Sequence, residues 1–243
     1  MTTTTATGLP VQRWARLLDD CPNAELRLPR GSTVWVVAAH PDDETLGLAG
    51  TMHRLLEQGC SIRLVVATAG EAAYGHDAGS ADLAGTRRAE LRRAMAELGL
   101  SSEPVLPGLP DGALAEHRTE LDKALRQIGP PPDLLFAPWI ADPHPDHRAA
   151  GDCALAYAER VDRALWQYPI WMRHWTGPEA IDVARDRLLV VRLDAAEQQH
   201  KAAAIACHAS QVQPQHGHEP VLPDYVLAHF ADGIEPLFAP DRR

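Results

Sequence analysis

The sequence predicts an α/β fold, one mostly parallel sheet covered by helices on both faces, and three observations carry that prediction. Short apolar runs alternate with segments of helical periodicity along most of the chain, the pattern of a parallel sheet wrapped by crossover helices. Two clusters of histidine and aspartate follow two of those runs directly, and ligands in such sheets bind outside the carboxyl ends of strands. At 243 residues with no internal repeat, the chain is long enough for one large domain with a sizeable core.

Residues 1 to about 30 read as an N-terminal lead-in whose Thr-rich, uncharged start is expected to be disordered, and 31–243 as a single domain. Thr33 to Ala38 is rich in β-branched residues and reads as the first strand. Leu48, Met52, Leu55 and Leu56 then share a helix face, and Ser61 to Thr68 is the second strand. A helix is expected from Ser80 to Leu98, where Leu91, Ala94, Met95 and Leu98 keep helical spacing and Gly99 stops it. Leu121, Ala124, Leu125 and Ile128 repeat the pattern before Gly129-Pro130-Pro131-Pro132. Asp133 to Ala137 is a third strand, followed by a helix from Asp146 to Val161, a strand from Leu188 to Leu193 and a helix from Ala195 to Cys207. The tail from Gln211 holds five prolines and three histidines without periodicity and is expected to be loop packed over the domain. A Rossmann-like sheet often carries a nucleotide, but Gly47-Leu48-Ala49-Gly50 lacks the GxGxxG spacing.

Composition removes other classes. A net charge of -10, with no basic run, argues against a phosphate-backbone partner. No apolar stretch approaches the length of a membrane span, and no signal core precedes the first strand. Cys21, Cys60, Cys153 and Cys207 are scattered without a CxxC pair, which suits reduced cytoplasmic thiols. A homo-oligomer is compatible with the sequence, which says nothing more of assembly.

The clusters are Ala39-His40-Pro41-Asp42-Asp43-Glu44 and Asp142-Pro143-His144-Pro145-Asp146-His147. Carboxylates packed at a strand end are poor core material unless a cation compensates them. His40 and Asp43 are three apart, as are His144 and His147, so spacing offers four ligands for one divalent ion without choosing among them. Iron suits two histidines and an aspartate as well as zinc does.

The pair AHPDDE and HPDH, in this order, resembles the PIG-L-like (LmbE-like) de-N-acetylases. So do Thr68-Ala69-Gly70-Glu71, Arg87-Arg88-Ala89-Glu90, Leu109-Pro110-Asp111-Gly112, and Lys201 with His208-Ala209-Ser210-Gln211. The resemblance implies Zn²⁺ held by His40, Asp43 and His147, with Asp42 as general base. It implies a protonated His144 as partner of the oxyanion, and Asp146 hydrogen-bonding an imidazole to hold His144 in its charged or correct tautomeric form. Glu44 is expected to brace the site. Glu71, Arg87, Asp111 and His208 are the expected substrate contacts, and Tyr74, His76 and Asp77 belong with Glu71 to a mobile pocket rim.

Every one of these positions has a plainer reading: a turn, a solvated basic helix face, a buried polar network. His216 and His218 read as loop. The segment from Trp166 to Trp175 holds four of the ten Trp and Tyr residues. It reads as a core strand and packed turn, with stacking on a sugar or an aromatic aglycone as the alternative. The function expected is hydrolysis of the N-acetyl amide of a soluble amino sugar or its glycoside, in thiol-cofactor or natural-product (antibiotic) biosynthesis. The rivals are an amidase of a larger thiol-sugar conjugate, a metal-holding sugar binder without turnover, and a nucleotide-dependent enzyme.

Overall fold

In a computed structural model of the chain, residues 8–75, 80–215 and 217–241 are described. The expectations for the first residues, for His76 and Asp77, and for His216 fall outside these. The first half runs α1 (Gln12–Asp20), β1 (Thr33–Ala38), α2 (Asp43–Glu57), β2 (Ser61–Val66), α3 (Ser80–Glu97) and α4 (Arg118–Gln127). The second half runs β3 (Leu134–Pro138), α5 (Pro145–Val161), β4 (Leu165–Tyr168), α6 (Met172–Trp175), β5 (Leu188–Arg192), α7 (Ala195–Ala206), α8 (Ala209–Val212), α9 (Asp224–Leu227) and β6 (Ile234–Phe238).

The strands are apolar throughout because both faces of the sheet are buried. Val34, Val36 and Ala38 of β1 enter one core while Trp35 and Val37 enter the other, the two-residue alternation of an extended chain. Leu134 and Phe136 against Leu135 and Ala137 repeat this in β3. The first core lies under α2, α3 and α7, the second under α4 and α5. The strand order is β2-β1-β3-β4-β6-β5. β2, β1, β3 and β4 are parallel, and β6 runs antiparallel to both its neighbours. The chain leaves β1 toward β2 on one side and returns to β3 on the other, so the β1–β3 boundary is the switch point.

Gly47 and Gly50 serve packing. A Cβ on Gly47 would lie 2.4 Å from the Tyr168 ring, and one on Gly50 would lie 2.4 Å from Leu193. They let α2 lie close against the sheet, so the stretch that lacks a phosphate-loop spacing has a structural use.

α1 and the short elements of the tail escaped the sequence reading. α1 lies in the lead-in and buries Trp14 and Leu18 completely against Met172, Ile181 and Phe238. β4, followed by the single turn of α6, is the core strand and packed turn read in the Trp-rich segment. The tail is more than loop: it contains α8, α9 and β6, the last seated between β4 and β5. Pro236 hides that strand, since proline weakens a strand assignment. β6 pairs along its length with β5 but meets β4 only at Gln167–Phe238, a place where a missing N–H is tolerated.

Glu235 explains why so short a strand is held. Its carboxylate is fully buried and accepts the Gly50 and Thr51 amides (2.9 and 2.8 Å), the Thr51 hydroxyl (2.6 Å) and Lys201 Nζ (2.9 Å). Strand β6, α2 and α7 are thereby tied at one point. Lys201→Met is expected to destabilise the protein by about 3–5 kcal/mol, because it leaves a buried carboxylate without its cation. Urea unfolding measures this, and a loss under 1 kcal/mol would show that the pair is not structural.

Candidate active site

The site lies where β1 and β3 end side by side. Asp42 precedes α2 with φ 145° and ψ -26°, a conformation that a residue with a Cβ adopts only under strain. The strain turns its carboxylate away from the helix toward Arg87, whose Nη2 donates to Asp42 Oδ2 at 2.9 Å. The same guanidinium donates to the Pro41 and Gly70 carbonyls, both at 2.9 Å. Gly70 is needed for this approach, since a Cβ there would sit 1.8 Å from Arg87 Nη1. Burial pushes the Asp42 carboxyl up to about 6, against the pull of Arg87. Glu44 accepts the Thr45 hydroxyl (2.7 Å) and lies 3.4 Å from the Asp42 amide, and burial pushes it up to about 8.

Asp43 faces the other way. Its Oδ2 accepts the Ala39 and His40 amides (3.0 and 2.9 Å), and its Oδ1 is 3.1 Å from His147 Nε2. His147 Nε2 in turn stands 3.2 Å from His40 Nδ1, which lies 3.6 Å from Asp43 Oδ2. Zinc bonds of about 2.0–2.1 Å at tetrahedral angles separate ligand atoms by roughly 3.3 Å, a spacing that His147 Nε2 keeps with both Asp43 Oδ1 and His40 Nδ1. Two imidazole nitrogens facing each other need a proton or a metal between them, and imidazole and carboxylate are the ligand types that suit zinc. Ligand atoms of His40, His144 and His147 also lie within 4.8 Å of one another, as do those of His40, Asp111 and Asp146. Burial opposes charge on His40, but hydrogen bonds to Asp111, Asp146 and Asp43 outweigh it and hold its pKa well above the usual value. His147 is likewise raised to about 9 against burial, by Asp43 and Asp142.

Two expected roles change. Asp146 does meet an imidazole, but it is that of His40 (3.4 Å); its carboxylate otherwise accepts the Gly112 and Leu114 amides (2.8 and 3.1 Å). His144 is the N-cap of α5, and its Nδ1 accepts the Asp146 amide at 3.3 Å. Burial, with His147 and His40 nearby, pushes His144 down to about 4. The ring is neutral in this arrangement, where a charged one was expected, and an accepting Nδ1 leaves the proton on Nε2.

A cavity of about 410 Å³ opens over these groups, lined on its polar side by His40, Asp42, Asp43, Arg87, Asp111 and His144. Ile170, Trp171, Trp175, Val221 and Leu222 line another part. The expected substrate contacts divide. Asp111 is on the wall, but its oxygens are taken by His40 Nε2 (3.0 Å) and the Ala72 amide (2.8 Å). Arg87 is on the wall but committed to Asp42. Glu71 accepts the Asp111 amide (3.1 Å) and does not line the cavity. His208 is buried off the cavity wall with Nε2 3.2 Å from the Thr45 hydroxyl, and burial pushes it down to about 3. Gln211, from the same motif, does line the cavity.

Asp142 is the residue that the sequence reading passed over. Fully buried, it accepts His147 Nδ1 (3.0 Å) and the His144 amide (3.1 Å) on Oδ1, and the Ile170 and Trp171 amides (2.9 and 3.0 Å) on Oδ2. Its place at the head of the second cluster was the available signal.

Fold and site together define a metal-dependent hydrolase, with a buried group of histidines and aspartates able to hold a metal ion at the switch point of a parallel sheet. The profile of the GlcNAc-PI de-N-acetylase family, PIG-L, matches residues 35–158, and the chain belongs to that family. Two relatives carry the name 1D-myo-inositol 2-acetamido-2-deoxy-alpha-D-glucopyranoside deacetylase. The one from Gordonia bronchialis is 28% identical over 73% of this chain and 83% of its own length. The one from a Mycobacterium species is 31% identical over 69% of this chain, a match spanning 62% of that relative. A conserved protein of Thermus thermophilus superposes with a TM-score of 0.64 at 31% identity, covering 86% of this chain and 94% of that one. Among the described residues no helix is long and apolar enough to cross a membrane.

Proposed function

We propose that this chain is a zinc-dependent deacetylase that cleaves the acetamido group of a small glucosamine-type glycoside. One observation carries the reading: polar atoms of His40, Asp43 and His147 converge beside Asp42, a buried carboxylate held by Arg87. Bound there, zinc would polarise the acetyl carbonyl and lower the pKa of the attacking water. Asp42 accepts the proton that this water loses as its oxygen bonds to the carbonyl carbon. The carbonyl oxygen takes the negative charge and is met by the Nε2–H of neutral His144. Asp42 returns the proton to the amine nitrogen as the C–N bond breaks, leaving acetate and a free amino sugar. Asp142 keeps the His147 ring oriented through Nδ1.

The reading sets the enzyme in the cytoplasm, where its four free thiols persist. It is tested by amine release from N-acetylglucosaminides with and without a chelator. Release is expected to fall below detection on chelation and to return with one equivalent of zinc. Recovery with ferrous iron alone would replace zinc in the proposal, and release indifferent to chelation would end it. N-acyl chain length separates the rival amidase, since a deacetylase site loses rate beyond acetyl.

A further inference from the structure

We propose that the rim made by Trp171 and Trp175 is a subsite for a flat apolar group that the substrate carries beyond its amino sugar, an aryl aglycone. The proposal rests on the deacetylase reading and adds to it the class of aglycone. Among the described residues the exposed large apolar side chains are Trp175 (41%) and Tyr225 (47%). Of the two, Trp175 lines the cavity and Tyr225 does not. Single exposed apolar residues are ordinary on a protein surface. One that lines a cavity and stacks there on a second indole marks a binding surface.

The cavity itself is divided. Its carboxylates, imidazoles and guanidinium gather around His40 and Asp42, where the amide must sit. Beside Ile170, Trp171, Trp175, Val221 and Leu222 it offers aliphatic and indole surface. Trp171 and Trp175 are stacked with centroids 4.4 Å apart and planes 10° apart, a flat face ready for another ring. A polyol placed against the two indoles would lose water from its hydroxyls, with Gln211 the uncharged polar side chain of the lining left to meet them. The platform is also set at a fixed reach from the chemistry, because Asp142 binds the Ile170 and Trp171 amides with one oxygen and His147 with the other.

The test compares kcat/KM on phenyl, methyl and myo-inosityl N-acetylglucosaminides, using zinc-loaded wild type, Trp175→Ala and Trp175→Phe. Wild type is expected to favour phenyl over methyl by at least tenfold and over inosityl by more. Trp175→Ala is expected to bring the phenyl-to-methyl ratio to near one, and Trp175→Phe to keep most of it. A ratio does not depend on the folded fraction, so a poorly folding variant still answers. A wild-type ratio near one, a preference for inositol, or a ratio untouched in Trp175→Ala overturns the subsite. If wild type releases no amine from any glycoside, the deacetylase reading fails by itself. Calorimetry with the phenyl and methyl glucosaminides then applies the same ratio test to binding.

Discussion

Asp42→Asn is expected to lower amine release by ~10²–10⁴-fold while leaving the zinc content unchanged. Asparagine keeps the shape and an oxygen for Arg87 but cannot take a proton from water. Metal analysis of the purified variant separates a lost base from a lost ligand. Retention of more than a tenth of wild-type activity would remove Asp42 from the proton path, and loss of zinc would make it a ligand. A companion pair tests the backbone. At φ 145° glycine is at ease and alanine is not, so Asp42→Gly should be more stable than Asp42→Ala by ~1–3 kcal/mol although both are inactive. Equal melting temperatures would show that the turn relaxes and stores no strain.

The sheet was legible because its strands are buried on both faces and therefore continuous in apolar residues. β1 begins and ends where the sequence places it, and α5 and α7 start within a residue of expectation. What failed was local signal that tertiary packing overrides. β6 is five residues with a central proline and a glutamate, yet Glu235 is the buried group that α2 and α7 share. α1 has few apolar residues, and of these Trp14 and Leu18 are fully buried, with Leu17 packed beside them.

In the site, the two clusters announced a cation centre, since no apolar interior tolerates so many carboxylates unpaired. Spacing could not rank His144 against His147, because both project from the start of α5. In the structure His147 Nε2 faces Asp43 and His40 while His144 Nδ1 is spent on its own helix, yet both rings keep a ligand atom within 4.8 Å of one from His40. Nor could spacing reveal that Arg87 serves Asp42, a contact between residues 45 apart that Gly70 makes possible. The aromatic segment divides in the same way. Tyr168 is buried with its hydroxyl on the Val37 carbonyl (2.7 Å), and Trp171 and Trp175 line the cavity.

Asp142 carries the second large effect. Asp142→Ala is expected to weaken zinc binding by ~10–100-fold, as removal of a carboxylate behind a metal-bound histidine does. It should also destabilise the metal-free protein by several kcal/mol, since each buried donor left without an acceptor costs about 1–3 kcal/mol. Asn is no mild substitute here. Four N–H donors converge on Asp142, two on each oxygen, whereas an amide presents one oxygen and one NH₂ group. If the oxygen serves His147, the NH₂ confronts the Ile170 and Trp171 amides; if the amide flips, it confronts His147 and the His144 amide. Asp142→Asn should therefore lose either zinc affinity or the placement of the Trp171 platform, and competition with a chromophoric chelator beside urea unfolding tells which. An asparagine variant matching wild type in both would mean that Asp142 positions neither the metal ligand nor the wall.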